Sequence, residues 1–392
     1  MSLVPLIIAV LVNFSMGSFY AWSVMVAPLE QSLGATRSDI SLAYSVSFIT
    51  MTVGMFVTHS LLRIASLPYL LFAVFTIAGV GLAISGYFEA LWSLVIGYGV
   101  LFGFALGVSY FLAMTAASLN LPVRPSIALS MSMSAFAGGG LVWPPIFAAI
   151  IEWQGPHAVL LLFAAYLVLV GALSGILLHA SRPPTHPGAD KGGGLFSDIL
   201  THRPRVFILL WAGFICIGFA ALMSIGHATG IVVDHGFPAD QAYWAPMLTN
   251  LVYIGCALSA GIVCDWITGR RVLIGIAALT AIPLLTLYFA PSATMSLIAL
   301  AVVGGAFGAS ASAYPVTVAG YYGVSALPRI YGRMATAFGA SGLLGPFAAG
   351  VLYDWQGGYE IAILIAGVLA VIGIATLWCL PKTPAIEAAA RP

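Results

Sequence analysis

The sequence predicts an all-α membrane protein: twelve transmembrane helices in two six-helix bundles related by pseudo-symmetry. Three observations predict it. Charged residues make up 6% of the 392 residues and hydrophobic ones 61%, against about 25% charged in soluble domains. That is too little charge to cover a water-facing surface. Two apolar lengths of similar size flank one long polar stretch, Arg182 to Arg205, rich in Pro, Gly and charge. Such a stretch has no apolar face to bury and reads as a linker. Finally, Glu152-Trp153-Gln154-Gly155 in the first length answers Asp354-Trp355-Gln356-Gly357 in the second, at an offset of 202 (354 − 152).

A helix needs about 20 apolar residues to cross a bilayer. Cutting at clusters of Gly, Pro and charge gives first-half segments at 4–27, 39–61, 69–87, 91–119, 126–151 and 158–180. The second-half segments are 206–233, 241–264, 272–290, 294–322, 330–353 and 359–380. The expected organisation is thus a bundle at 1–181, a linker at 182–205, a second bundle at 206–381 and a tail at 382–392. The first segment lacks a basic leader region and a small-residue cleavage site, so it reads as a span and not as a signal peptide.

Basic residues collect in cytoplasmic loops. With the N-terminus inside, twelve of the 13 Lys and Arg fall on the cytoplasmic face, together with the linker and the C-terminus; Arg37 is the exception. The expected location is a bacterial-type inner (plasma) membrane. A net charge of +1 gives no case for nucleic acid. The four cysteines, Cys216, Cys256, Cys264 and Cys379, form no CxxC pair and read as small buried hydrophobes. No convincing nucleophile–base or metal constellation marks an enzyme, no cofactor is implied, and a monomer in the bilayer is expected.

An even number of spans per half keeps the repeats parallel, about an axis along the membrane normal. This resembles the major facilitator architecture, in which the halves rock about a central site. Gly261-Ile262-Val263-Cys264-Asp265-Trp266-Ile267-Thr268-Gly269-Arg270-Arg271 resembles the G-x-x-x-D-x-x-G-R loop of that group, which makes Asp265, Arg270 and Arg271 candidate gating residues. The plainer reading is a charged turn obeying the charge rule. The first-half counterpart, Thr58 to Pro68, has no acid.

Asn13-x-x-x-Gly17-x-x-Tyr20-x-Trp22, the glycine-rich run from Gly103 to Tyr110, Leu222 to Ala228, Asn250 to Asp265, and Arg329-Ile330-Tyr331-Gly332 together resemble the oxalate:formate antiporter family of bacterial carboxylate transporters. That family carries an Arg in the eighth helix and a Lys in the eleventh. Counting along the motifs puts Ala257 and Phe338 at those places. This argues against a dicarboxylate cargo, and a monocarboxylate-like organic acid is the expected one.

The remaining candidate binding groups are the hydroxyls of Tyr20, Tyr110, Tyr253 and Tyr314, the amide of Asn250, the ring of Phe338, and His227. Each Tyr alone reads equally well as packing. His227 is the one titratable group expected well inside a segment; it reads either as a structural hydrogen-bonded histidine or as a proton carrier near neutral pH. Met223, His227, Met247 and Cys256 offer an alternative soft-metal set suited to Cu(I). The expected function is a secondary transporter of a small solute, with proton coupling left open. The alternatives are a neutral solute or copper as cargo, or a membrane sensor on the same scaffold.

Overall fold

The computed structural model describes residues 3–120, 125–181, 203–323 and 326–381. The expected linker, apart from its last three residues, and the C-terminal tail fall outside the described residues. Among the described residues, twelve helices are long and apolar enough to cross a membrane. In the first half they are α1 (Val4–Val24), α2 (Arg37–Ile64), α3 (Leu67–Tyr87), α4 (Leu91–Ala117), α5 (Met131–Gln154) and α6 (Pro156–Ala180). In the second they are α7 (Pro204–Gly226), α8 (Ala239–Cys264), α9 (Gly269–Phe289), α10 (Ala293–Tyr322), α11 (Ile330–Gln356) and α12 (Glu360–Trp378).

Local chemistry sets the ends. Proline occupies the first turn of α1, α3 and α7, where a missing N–H is no loss and φ is already helical. A capping box opens α2: the Thr36 hydroxyl takes the Asp39 amide while the Asp39 carboxylate takes the Thr36 amide. At the far ends of α5 and α11, Gly155 and Gly357 turn left-handed, with φ of 84° and 76°. Glycine adopts that conformation without strain. The repeated tetrapeptide is therefore a repeated helix stop.

The packing repeats as well. In the first half α1 lies against α5, α2 against α4 and α3 against α6; in the second, α7 lies against α11, α8 against α10 and α9 against α12. The halves meet along two seams related by the same shift of six helices, α2 with α11 and α5 with α8. Glycines let the first seam close. A side chain at Gly342 would collide with the Phe48 ring, and one at Gly350 would stand 2.8 Å from the Ser38 Cα.

Three segments depart from the expected uniform helices. The seventh, expected to reach residue 233, stops at Gly226; His227 leaves helical geometry (φ −118°, ψ 16°) and a short helix, Ala228–Asp234, follows. The last part of α1, Gly17–Val24, is a 3₁₀ helix, and Val95–Phe102 of α4 is a π helix. Such stretches inside a span often mark functional sites, and the first carries Tyr20 and Trp22. Arg37, expected in a turn between spans, is buried (8% exposed), and so is Arg333 of α11 (5%).

Candidate functional site

Between the halves the structure brings together a group of aromatic side chains. Tyr20 of α1 and Phe136 of α5 form a T-shaped pair with ring centres 5.3 Å apart, and Tyr110 of α4 meets the same Phe136 ring at 5.7 Å. From the other half, the Tyr253 ring of α8 lies 6.1 Å from that of Tyr20 and 6.1 Å from Phe307 of α10. The phenols of Tyr20, Tyr110 and Tyr331 all lie close enough to that of Tyr253 to interact electrostatically with it. Among the described residues, no protein hydrogen bond reaches the hydroxyls of Tyr20, Tyr110 or Tyr253. Such hydroxyls can donate to a guest.

The other expected binding residues are placed differently. Tyr314 is fully buried against Phe214, 4.9 Å between ring centres, and its hydroxyl has no partner among the described residues. Asn250 bridges the α5–α8 seam, its amide donating to Gly140 O at 3.3 Å and to Pro246 O at 2.8 Å. Phe338 packs edge-on to Phe48 across the α2–α11 seam at 5.4 Å. Ala257 gives its carbonyl to Ser312 at 2.6 Å. Tyr331, quoted in the sequence only as part of a motif, joins the aromatic group. Two hollows lie away from it: a water-sized void of about 10 Å³ bounded by Trp22, Tyr98 and Phe163, and an open groove of about 750 Å³ bounded by Asp234, His235, Trp355 and Glu360.

At one end of the bundle the halves are held by a charged latch. Arg37, at the start of α2, grips Glu30 with two hydrogen bonds of 2.8 and 2.5 Å. Its third arm donates to the Tyr359 hydroxyl of the other half at 2.6 Å, and its guanidinium sits 3.9 Å over the Tyr353 ring. The Asp354 carboxylate, at the end of α11, accepts the Arg37 and Ser38 amides at 2.9 and 2.8 Å. The first N–H groups of a helix lack partners within it and sit at the positive end of its dipole. The second half thus supplies the cap for a helix of the first.

His227 belongs to this latch. Its Nδ1 meets the Tyr359 hydroxyl at 2.9 Å, and its Nε2 meets the Pro346 carbonyl at 2.9 Å and Ser41 Oγ at 3.3 Å. It had been expected inside a helix, facing the cavity; instead it fills the break between α7 and the short helix. Both ring nitrogens are taken up by the protein, which does not fit a copper ligand. Met223 is fully buried and Cys256 packs near Gly305. Among the described residues, no group of three His, Cys, Asp or Glu could hold a metal ion.

Of the expected gating residues, Arg270 reaches the Trp378 carbonyl within its own half, and Arg271 is exposed. The Asp265 side chain lies outside the described residues.

The Major Facilitator Superfamily profile matches residues 6–267 and 227–392. The chain belongs to the Major Facilitator Superfamily. Relatives include the uncharacterized MFS-type transporter YhjX of Escherichia coli (strain K12), 22% identical over 339 residues, covering 85% of this chain and 84% of that one. Mouse Monocarboxylate transporter 11 is 25% identical over 324 residues (78% and 70%). The Oxalate:formate antiporter of Oxalobacter formigenes is 22% identical over 372 residues (92% and 86%). Among solved structures, a bacterial homolog of the human lysosomal transporter Spinster superposes with a TM-score of 0.78 at 14% identity, covering 97% of this chain and 96% of that one. The D-xylose-proton symporter does so with 0.73 at 14% identity (97% and 98%). This facilitator is a multi-pass membrane transporter and not an enzyme.

Sequence reasoning missed Arg37 and its partners. The available signal was its lone violation of the charge rule, which was read as an exception to topology and not as a site.

Proposed function

We propose that this facilitator carries a small monocarboxylate-like organic acid by alternating access, its halves rocking about the aromatic group while the latch closes one mouth. The observation that carries this reading is the set of unpaired hydroxyls on Tyr20, Tyr110 and Tyr253, contributed by α1, α4 and α8 and therefore by both halves. A carboxylate accepts several such bonds at once. The printed names of two relatives, a monocarboxylate transporter and an oxalate:formate antiporter, support the substrate class. Ala257 and Phe338, standing where the resembling family has cations, argue against a second carboxylate. With no cation at either of those two places, a monoanion would bring a poorly paired charge into an apolar site, which is costly; it travels with a proton. We place the latch on the outer face, by the distribution of Lys and Arg.

The test is ligand binding to the purified protein across pH. Formate or lactate is expected to raise the melting temperature, more so in acid, while oxalate and xylose leave it unchanged. Tyr20→Phe, Tyr110→Phe and Tyr253→Phe each remove a hydrogen bond of about 1–3 kcal/mol, weakening binding roughly 5- to 150-fold. Stabilisation by a neutral sugar alone, with no pH dependence, would sink the organic-acid reading. It would favour the second reading, a neutral solute, which the uncharged aromatic lining also accommodates.

A further inference from the structure

The bonds around His227 dictate its protonation state. Its Nε2 faces two acceptors. One is the Pro346 carbonyl at 2.9 Å; the other is Ser41 Oγ at 3.3 Å, whose own hydrogen is donated to the Arg37 carbonyl at 2.6 Å. Nε2 must therefore carry a hydrogen. On the other side, Nδ1 faces the Tyr359 hydroxyl at 2.9 Å, and that hydroxyl accepts from Arg37 Nη1 at 2.6 Å. No other acceptor for the Tyr359 hydrogen lies within reach among the described residues, so it points at Nδ1. The hydrogens thus run one way, from Arg37 to Tyr359 to His227 to Pro346, and the neutral imidazole is the form that completes the run. A proton on Nδ1 would set two hydrogens face to face and place a second cation behind that of Arg37.

The neighbouring anions are already engaged. Glu30 is held by Arg37, Asp354 by the Arg37 and Ser38 amides, and Asp234 accepts the Tyr359 amide at 3.0 Å. Tyr353 gives its ring face to the guanidinium. None of these groups turns a free acceptor toward the His227 ring.

We propose that His227 is the proton-binding residue of the latch, neutral while the halves are closed and protonated as they part, so that acid opens this mouth. The proposal rests on the alternating-access reading above and adds to it a pH-sensitive control of this mouth. When the latch parts, water supplies a proton to Nδ1 and solvates the Tyr359 hydroxyl; on closing, the proton returns to water. The closed state is favoured above the ordinary imidazole pKa and loses that advantage below it. Going from about pH 7.5 to about pH 5.5, around an ordinary pKa near 6.5, shifts the ratio of open to closed molecules about tenfold.

The experiment uses full-length protein in lipid nanodiscs with its four cysteines replaced by alanine and nitroxide labels at Gln31→Cys and Gln356→Cys. Both sites are exposed at the latch end, one on each half. Pulsed electron paramagnetic resonance reads the distance between them. A long-distance population that grows about tenfold relative to the short one on acidification is the expected result. In His227→Gln, whose neutral amide offers an NH2 donor group and an acceptor oxygen but does not titrate, the distribution is expected not to respond to pH. A wild-type distribution unchanged by pH, or a glutamine variant that shifts as far as wild type, overturns the proposal. Arg37→Ala separates the two readings. If it lengthens the distance at both pH values while wild type stays flat, the halves move and the histidine is not the switch. If it too leaves the distance short, the alternating-access reading falls as well.

Discussion

At the residue scale, the chemistry of the site rests on polar atoms placed where the lipid phase offers none. Tyr20, Tyr110 and Tyr253 draw notice in the sequence because a hydroxyl on an apolar helix stands out, but the same signal also picks Tyr314, which packs apart from them against Phe214. Tyr331 belongs with them: Tyr331→Phe is expected to weaken binding by the same roughly 5- to 150-fold as its neighbours. Ala257→Arg tests the charge argument from the opposite side. A permanent cation supplies what the proton supplies transiently, so carboxylate affinity in this variant is expected to lose its pH dependence; binding isotherms across pH read this directly. Arg37 was not legible, because its partners Asp354 and Tyr359 lie more than three hundred positions along the chain. Nothing local announces them. His227 was noticed for its type and misplaced in its surroundings, since Gly226 and Ala228 on either side give no sign that the helix stops there.

At the scale of elements, apolar runs with their prolines, capping box and glycine stops set the span ends to within a few residues of the sequence reading, except at the end of α7, which stops at Gly226. What escaped it were changes of winding within a span, the 3₁₀ stretch of α1 and the π stretch of α4, which leave composition unaltered. The α2–α11 seam depends on glycine for its closeness. At Gly350 a methyl group would stand 2.8 Å from the Ser38 Cα and 3.0 Å from the Arg37 carbonyl, backbone atoms that cannot step aside alone. Overpacking of this kind costs about 1–3 kcal/mol. Gly350→Ala is therefore expected to reduce the closed population roughly 5- to 150-fold and to slow uptake in proteoliposomes while monodispersity is kept. Uptake equal to wild type would show that the seam need not close this tightly.

At the scale of the whole molecule, the halves share one packing plan, yet their two seams differ in chemistry. The α5–α8 seam is joined through Asn250, whereas the α2–α11 seam carries an ion pair, a borrowed helix cap and a histidine. A symmetric scaffold thus has one chemically distinct edge, and that asymmetry could not be read from the repeat, which preserved the helix stop and varied the rest. Orientation is tested on intact cells with a membrane-impermeant thiol reagent in a cysteine-free background. A cysteine at Gly236 is expected to react from outside and one at Gly193 only after permeabilisation. Reversal at both sites would put the latch on the inner face.

The carboxylate of Asp354 has one more consequence. Because it accepts the amides of Arg37 and Ser38 from the opposite half, those two hydrogens are bonded to it only while the halves touch. Their hydrogen–deuterium exchange is then gated by separation of the halves and not by unfolding of α2. Peptides spanning the start of α2 would serve as an unlabelled clock for the transport cycle, running faster whenever this mouth spends longer apart.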